Sequence, residues 1–116
     1  MRTLLLRAGD ARPLVDEFPR GPGGYAYHTL LAVLHTWLRQ PHDFAAAVSG
    51  IVALGGDTDT TGAILGGVMG ANLGVRSIPP QWLQGLWEWP RDVGWMSKLA
   101  ERLANPEPSS QRVSWR

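Results

Sequence analysis

The sequence predicts an all-α protein. Apolar residues recur at helical spacing in successive stretches, no stretch alternates apolar and polar residues as a half-buried strand would, and prolines or a glycine pair separate the stretches. A length of 116 residues accommodates one domain with a modest core. Residues 1–24 carry Pro13, Pro19, Pro22 and four glycines without periodicity, and read as an irregular N-terminal segment. A first helix is predicted over 29–39, with Leu30, Leu31, Leu34, Trp37 and Leu38 on its apolar face and Pro41 beyond its end. Asp43 caps a second, over 44–54, with Phe44, Ala47, Val48, Ile51 and Leu54 as the buried stripe. Gly55-Gly56 then turns the chain into a third, from Thr58 or Thr60 to Asn72.

That third helix carries Gly62, Gly66, Gly70 and Gly74 at four-residue intervals, with Ala63, Gly67 and Ala71 as a second small row. Glycine inside a helix costs about 1 kcal/mol relative to alanine. Compensation by close helix contact along the small face is therefore expected, and with it a buried central helix. Pro79-Pro80 presets a fourth helix over 81–89, apolar through Trp82, Leu83, Leu86, Trp87 and Trp89. A fifth, over 91–104, has Val93, Met96, Leu99 and Leu103 as its inner row. The tryptophans read mainly as core, with one of Trp87 and Trp89 exposed, and Arg76, Arg91 and Lys98 as solvated helix-end charges. Pro106, Pro108 and Ser109-Ser110 mark 105–116 as a disordered tail.

Composition excludes several functions. Eleven basic and ten acidic residues leave a formal charge of +1, which gives no electrostatic case for nucleic acid or an anionic membrane. No cysteine is present, so disulfides, thiolate metal sites and thiol nucleophiles are all absent; this is compatible with a reducing cytosol, and the cytoplasm is the expected compartment. No apolar run reaches the roughly 20 residues of a membrane span. The three leucines after Arg2-Thr3 are too few for a signal peptide.

Chemistry concentrates in Gly55-Gly56-Asp57-Thr58-Asp59-Thr60-Thr61-Gly62. Two carboxylates two residues apart and two following hydroxyls are hard oxygen donors, suited to Mg²⁺ or Mn²⁺. They do not fill an octahedral shell alone. The bland alternative is helix capping by Asp57 with Asp59 in the first turn. In a turn the i, i+2 spacing brings both carboxylates to one centre, whereas a regular helix makes them diverge. An EF-hand loop fails because Val68 stands where a bidentate Glu is needed. A haloacid-dehalogenase-type phosphatase shares Asp57, Asp59 and Thr61, but that motif follows a hydrophobic strand; it stands as a lesser alternative.

The same run, followed by a Gly/Ala-rich helix, Ile78-Pro79 and Trp82-Leu83, and preceded by Gly23-Gly24-Tyr25-Ala26-Tyr27-His28-Thr29-Leu30, resembles the ADP-ribosylglycohydrolase family over about residues 21–89. The resemblance implies a helical fold, with 25–104 as part of its C-terminal half. It implies a two-metal Mg²⁺ or Mn²⁺ centre and hydrolysis of the glycosidic bond between ADP-ribose and an acceptor. By the family's motif Asp57, Asp59 and Thr60 are metal ligands, Asp57 and Asp59 carry the catalysis, and Gly24 and Tyr25 contact substrate. His28 reads instead as a capping or core residue. Members also carry an N-terminal acidic cluster in a Gly-Asp-Ala-x-Gly context; here Gly9-Asp10-Ala11 runs into Arg12-Pro13 and is a chance likeness. The chain is thus expected to be a fragment of the full enzyme, with an ADP-ribosylated substrate and a complementary N-terminal half as partners. A non-catalytic helical remnant or binding module is the competing expectation.

Overall fold

The computed structural model describes residues 18–106. Among them the regular elements are helical: α1 (Ala26–Arg39), α2 (Phe44–Ala53), α3 (Thr58–Leu73), a 3₁₀ turn (Val75–Ser77), α4 (Pro80–Gln84) and α5 (Val93–Ala104). The chain divides into two compact units, Met1–Pro79 and Pro80–Arg116. The expectation for residues 1–17 and for 107–116 lies outside the described residues.

In the first unit α1, α2 and α3 pack against one another around Ala32, Val33, Phe44, Ala47, Ile51, Leu65 and Met69. Trp37, Val48, Leu54, Val68, Leu73 and Ile78 close its margins. Asp43 caps α2 as expected, accepting the Ala46 N–H at 2.9 Å. The stripe expected for α2 is the one observed. The face of α1 differs. Thr29, Leu31, Ala32, Val33 and Thr36 are buried, whereas Leu30 and Leu38 are exposed. Ala32, Val33 and Trp37 meet the core shared with the other two helices, while Leu31 packs with Phe18 and Leu54. The helix also begins three residues earlier than predicted, because its first turn is exposed and carries no apolar signal.

The glycines of α3 do not mediate the close contact expected of them. A methyl on Gly62 or Gly66 would only touch Val52 or Phe44 at ordinary distance, and one on Gly67 or Gly70 would meet nothing within 4 Å. Burial runs through Thr61, Leu65 and Met69 instead, while Ala63, Gly67 and Ala71 are exposed. The helix is therefore buried on one stripe rather than all round. Gly74 has a structural reason: its φ of +77° ends α3.

Backbone glycines matter most where the α2–α3 turn meets the loop before α1. Gly21, Gly55 and Gly56 all have positive φ. A Cβ on Gly21 would collide with the Gly55 carbonyl carbon, and one on Gly56 with the Pro22 carbonyl oxygen. Two backbones thus run in direct contact, and Asp57 N–H donates to Pro22 O at 2.9 Å across the junction. Phe18, together with Leu31, packs beneath the loop against Leu54.

The second unit is different in kind. α4 stops at Gln84, five residues short of the predicted end. Gly85 closes its last turn onto Gln81 O, and Trp89 precedes a proline and so avoids helical backbone. Trp87 and Trp89 are 91% and 84% exposed, so both, not one, face solvent. Asp92 caps α5 through the Trp95 N–H at 2.8 Å, but no residue of α5 is buried, including its expected inner row. Among the described tryptophans only Trp37 packs against the core. Arg76, Arg91 and Lys98 are exposed as expected, Arg91 lying 5.8 Å over the Trp95 ring.

Three outcomes follow from this packing. Leu65→Ala should cost about 3 kcal/mol in urea denaturation, and Ile64→Ala, on the exposed face, under about 1 kcal/mol. Gly55→Ala should cost only the left-handed backbone penalty of about 1–2 kcal/mol, since its Cβ would meet open space, while Gly56→Ala should cost clearly more. His35 titrates below the ordinary imidazole range, first through partial burial and then through Arg39. Because the folded state then binds fewer protons than the unfolded one, its contribution is fully present above that range and is lost as pH falls through it. His35→Gln should flatten the loss of melting temperature between about pH 8 and 5.

Candidate metal centre

The acidic run occupies the turn from α2 into α3. Asp57 has φ −82° and ψ 70°, and Thr58 N–H donates to Gly56 O at 3.0 Å, which makes Asp57 the central residue of an inverse γ-turn. Asp57 precedes α3 but its side chain makes no capping hydrogen bond, so the capping explanation of this residue fails. Asp59 is held below the ordinary carboxylate range, first by its side-chain interaction with Asp57 and then by the Thr60 N–H, which donates to it at 3.0 Å. Two carboxylates two residues apart repel when both are ionised, and a nearby positive charge would lower that cost. The donors are all oxygen, the chemistry Mg²⁺ and Mn²⁺ select, and Asp59 and Thr60 are exposed. The residues therefore fit a hard divalent cation. They fit it incompletely: among the described residues no group of three Asp, Glu, His or Cys side chains gathers at one point.

The two threonines part company. Thr60 is exposed, whereas Thr61 is fully buried and donates its hydroxyl to Asp57 O at 2.9 Å. The expectation that both hydroxyls are available as ligands is thus corrected to Thr60 alone. The start of α3 is also poorly suited to an anion. Thr58, Thr60 and Thr61 N–H already donate to Gly56 O, the Asp59 carboxylate and Asp57 O, which leaves little for a diphosphate. The phosphatase alternative fails as well, because the motif follows helix α2 rather than a strand.

Gly24 comes to the same place by way of the Pro22 contact, and Tyr25 follows it in the chain. A Cβ on Gly24 would stand 3.1 Å from Asp57 Oδ2, so only glycine leaves this carboxylate uncrowded on that side. Tyr25 precedes α1 and is 68% exposed, its ring edge-on to His28 at 5.4 Å. His28 is half-buried among Phe18, Tyr25 and Tyr27, a packing role rather than a cap. Beside them a cleft of about 420 Å³ is lined by Phe18, Pro19, Arg20, Gly21 and His28. Sequence reasoning missed Phe18 and Arg20. Their only signal was proximity to the Gly21-Pro22 pair.

Comparisons with known proteins bear on this geometry. A 62-residue stretch is 40% identical to the ADP-ribosyl-[dinitrogen reductase] glycohydrolase of Rhodospirillum rubrum, covering 53% of this chain and 21% of that protein. The chain thus spans about a fifth of the relative's length. No solved structure matches. The family model for ADP-ribosylglycohydrolase matches residues 2–112, nearly the whole sequence, and the chain belongs to that family.

Proposed function

We propose that this chain takes part in hydrolysis of an ADP-ribosyl glycosidic bond, releasing ADP-ribose from a modified protein or related acceptor. The observation that carries the reading is the pair Asp57 and Asp59 at the glycine turn opening α3, the first making no capping bond and lying against Gly24. Family membership and the activity named for the bacterial relative support the reaction class. We place the reaction in the cytoplasm, in keeping with the cysteine-free composition.

Asp57, Asp59 and Thr60 would hold one or two Mg²⁺ or Mn²⁺ ions. When bound, such an ion supplies Lewis acidity toward water and ribose oxygens. The protein's own part is to hold two carboxylates at fixed separation, keep the approach clear at Gly24 and offer the Tyr25 ring to the substrate. Arg20, in the neighbouring cleft, supplies positive charge for an anionic diphosphate. The rest of the coordination shell comes from outside the described residues, in the same chain or in a complementary segment. The shortage of ligands also favours a second reading, in which the chain by itself is a non-catalytic helical module.

One assay separates the two. ADP-ribose release from ADP-ribosylated protein is followed with Mg²⁺ or Mn²⁺, for the chain alone and with the N-terminal part of a family member added. Asp59→Ala should lower the rate more than about 100-fold, since even removing a ligand's outer partner costs about 10–100-fold. Release that is unchanged by Asp59→Ala sinks the metal reading. No release under either condition leaves the module.

A further inference from the structure

Thr61 was singled out in the sequence as a ligand, yet it is fully buried and faces the backbone. Its hydroxyl and its N–H both donate to Asp57 O, at 2.9 and 3.1 Å. On the other side of the same residue, Asp57 N–H donates to Pro22 O at 2.9 Å, and Pro22 is itself fully buried. Asp57 is therefore held at both ends while its backbone sits in a γ-turn rather than in the helix.

We propose that Thr61 is a positioning residue for the acidic pair: its hydroxyl locks the Asp57 backbone in the turn before α3 and so fixes the direction from which the Asp57 carboxylate leaves the chain. Threonine commonly donates to the carbonyl four residues back in a helix. What distinguishes Thr61 is place and burial. Ser97 makes the same bond to Val93 O at 2.9 Å, but on an exposed surface where water can replace it. Thr61 has no exposure, and the carbonyl it holds belongs to the residue whose direction decides whether Asp57 and Asp59 converge. If that lock loosens, Asp57 relaxes toward helical backbone, and i, i+2 side chains on a helix point apart. The inference rests on reading Asp57 and Asp59 as ligands, and it adds a residue that touches neither cation nor substrate.

Two substitutions divide hydroxyl from shape. Thr61→Val keeps the branched volume and removes the donor, while Thr61→Ser keeps the donor and removes the methyl. The full-length chain and both variants are titrated with Mn²⁺, free ion being followed by electron paramagnetic resonance, and the Asp57 amide exchange rate is measured by NMR. Thr61→Val should weaken Mn²⁺ binding by about 10-fold, the lower range for losing an outer partner of a metal ligand, and speed Asp57 amide exchange; Thr61→Ser should stay close to the native protein on both. A role in packing alone would reverse the order, with serine the worse variant, and that reversal would overturn the proposal. A native chain with no affinity for Mn²⁺ would count against the metal reading and not against the lock. The Asp57 amide then decides, and equal exchange in all three proteins overturns the lock.

Discussion

The site depends on one backbone junction, the contact between Gly21-Pro22 and Gly55-Gly56. Neither segment has regular structure to hold it, and each uses positive φ to expose its peptide groups to the other. The single hydrogen bond across it, Asp57 N–H to Pro22 O, ties the start of α3 to the approach to α1. Side chains larger than hydrogen are excluded sterically at Gly21 and Gly56, so the junction is specified by absence of atoms as much as by any attraction. Everything proposed for the site follows from this registration: it places Gly24 against Asp57 and lets Tyr25 open α1 nearby.

Electrostatics then selects what the junction can be for. An acidic pair at a helix N-terminus is favoured by the helix dipole, and Asp59 takes that benefit through the Thr60 N–H. A structural acid needs no more. Asp57 gains nothing of the kind, since its carboxyl caps no amide and another acid follows two residues on. Under the proposed reading a cation is the third member of this arrangement. The neighbouring cleft adds Arg20, a charge of the opposite sign to the pair.

Much of this was legible in the sequence, and the failures have a common cause. Helical period located α1, α2, α3 and α5 to within a few residues, and Asp43 and the glycine pair marked the breaks. That the glycine pair makes a turn and the acids stand at the start of α3 was legible, because glycine permits the positive φ and the helical period begins just beyond. Periodicity misled wherever apolar residues are not buried: the leucines of α1, the tryptophans after α4 and the whole of α5. A hydrophobic pattern reports which face would favour burial and not whether anything lies against it. The α3 glycines misled for the converse reason, since a small side chain permits close approach without causing it. Thr61's bond to Asp57 O is local, but its burial comes from packing that the sequence does not announce, and Arg20 enters the site only because its loop meets the α2–α3 turn.

The proposed substrate sharpens the argument about charge. ADP-ribose carries a diphosphate, and two ionised carboxylates would repel it. At about 4 Å a pair of like unit charges costs roughly 4 kcal/mol at an effective dielectric of 20. Two such acids beside a binding site for an anion are therefore a liability unless something neutralises them. A single divalent ion cancels both charges and leaves its remaining positions for oxygens of water or sugar. Under the proposed reading the acids, the cation and the anionic substrate form one electrostatic unit, in which the carboxylates keep the cation and the cation makes the carboxylates tolerable to the substrate. That mutual dependence explains why the protein holds Asp57 away from the capping role its position would otherwise give it.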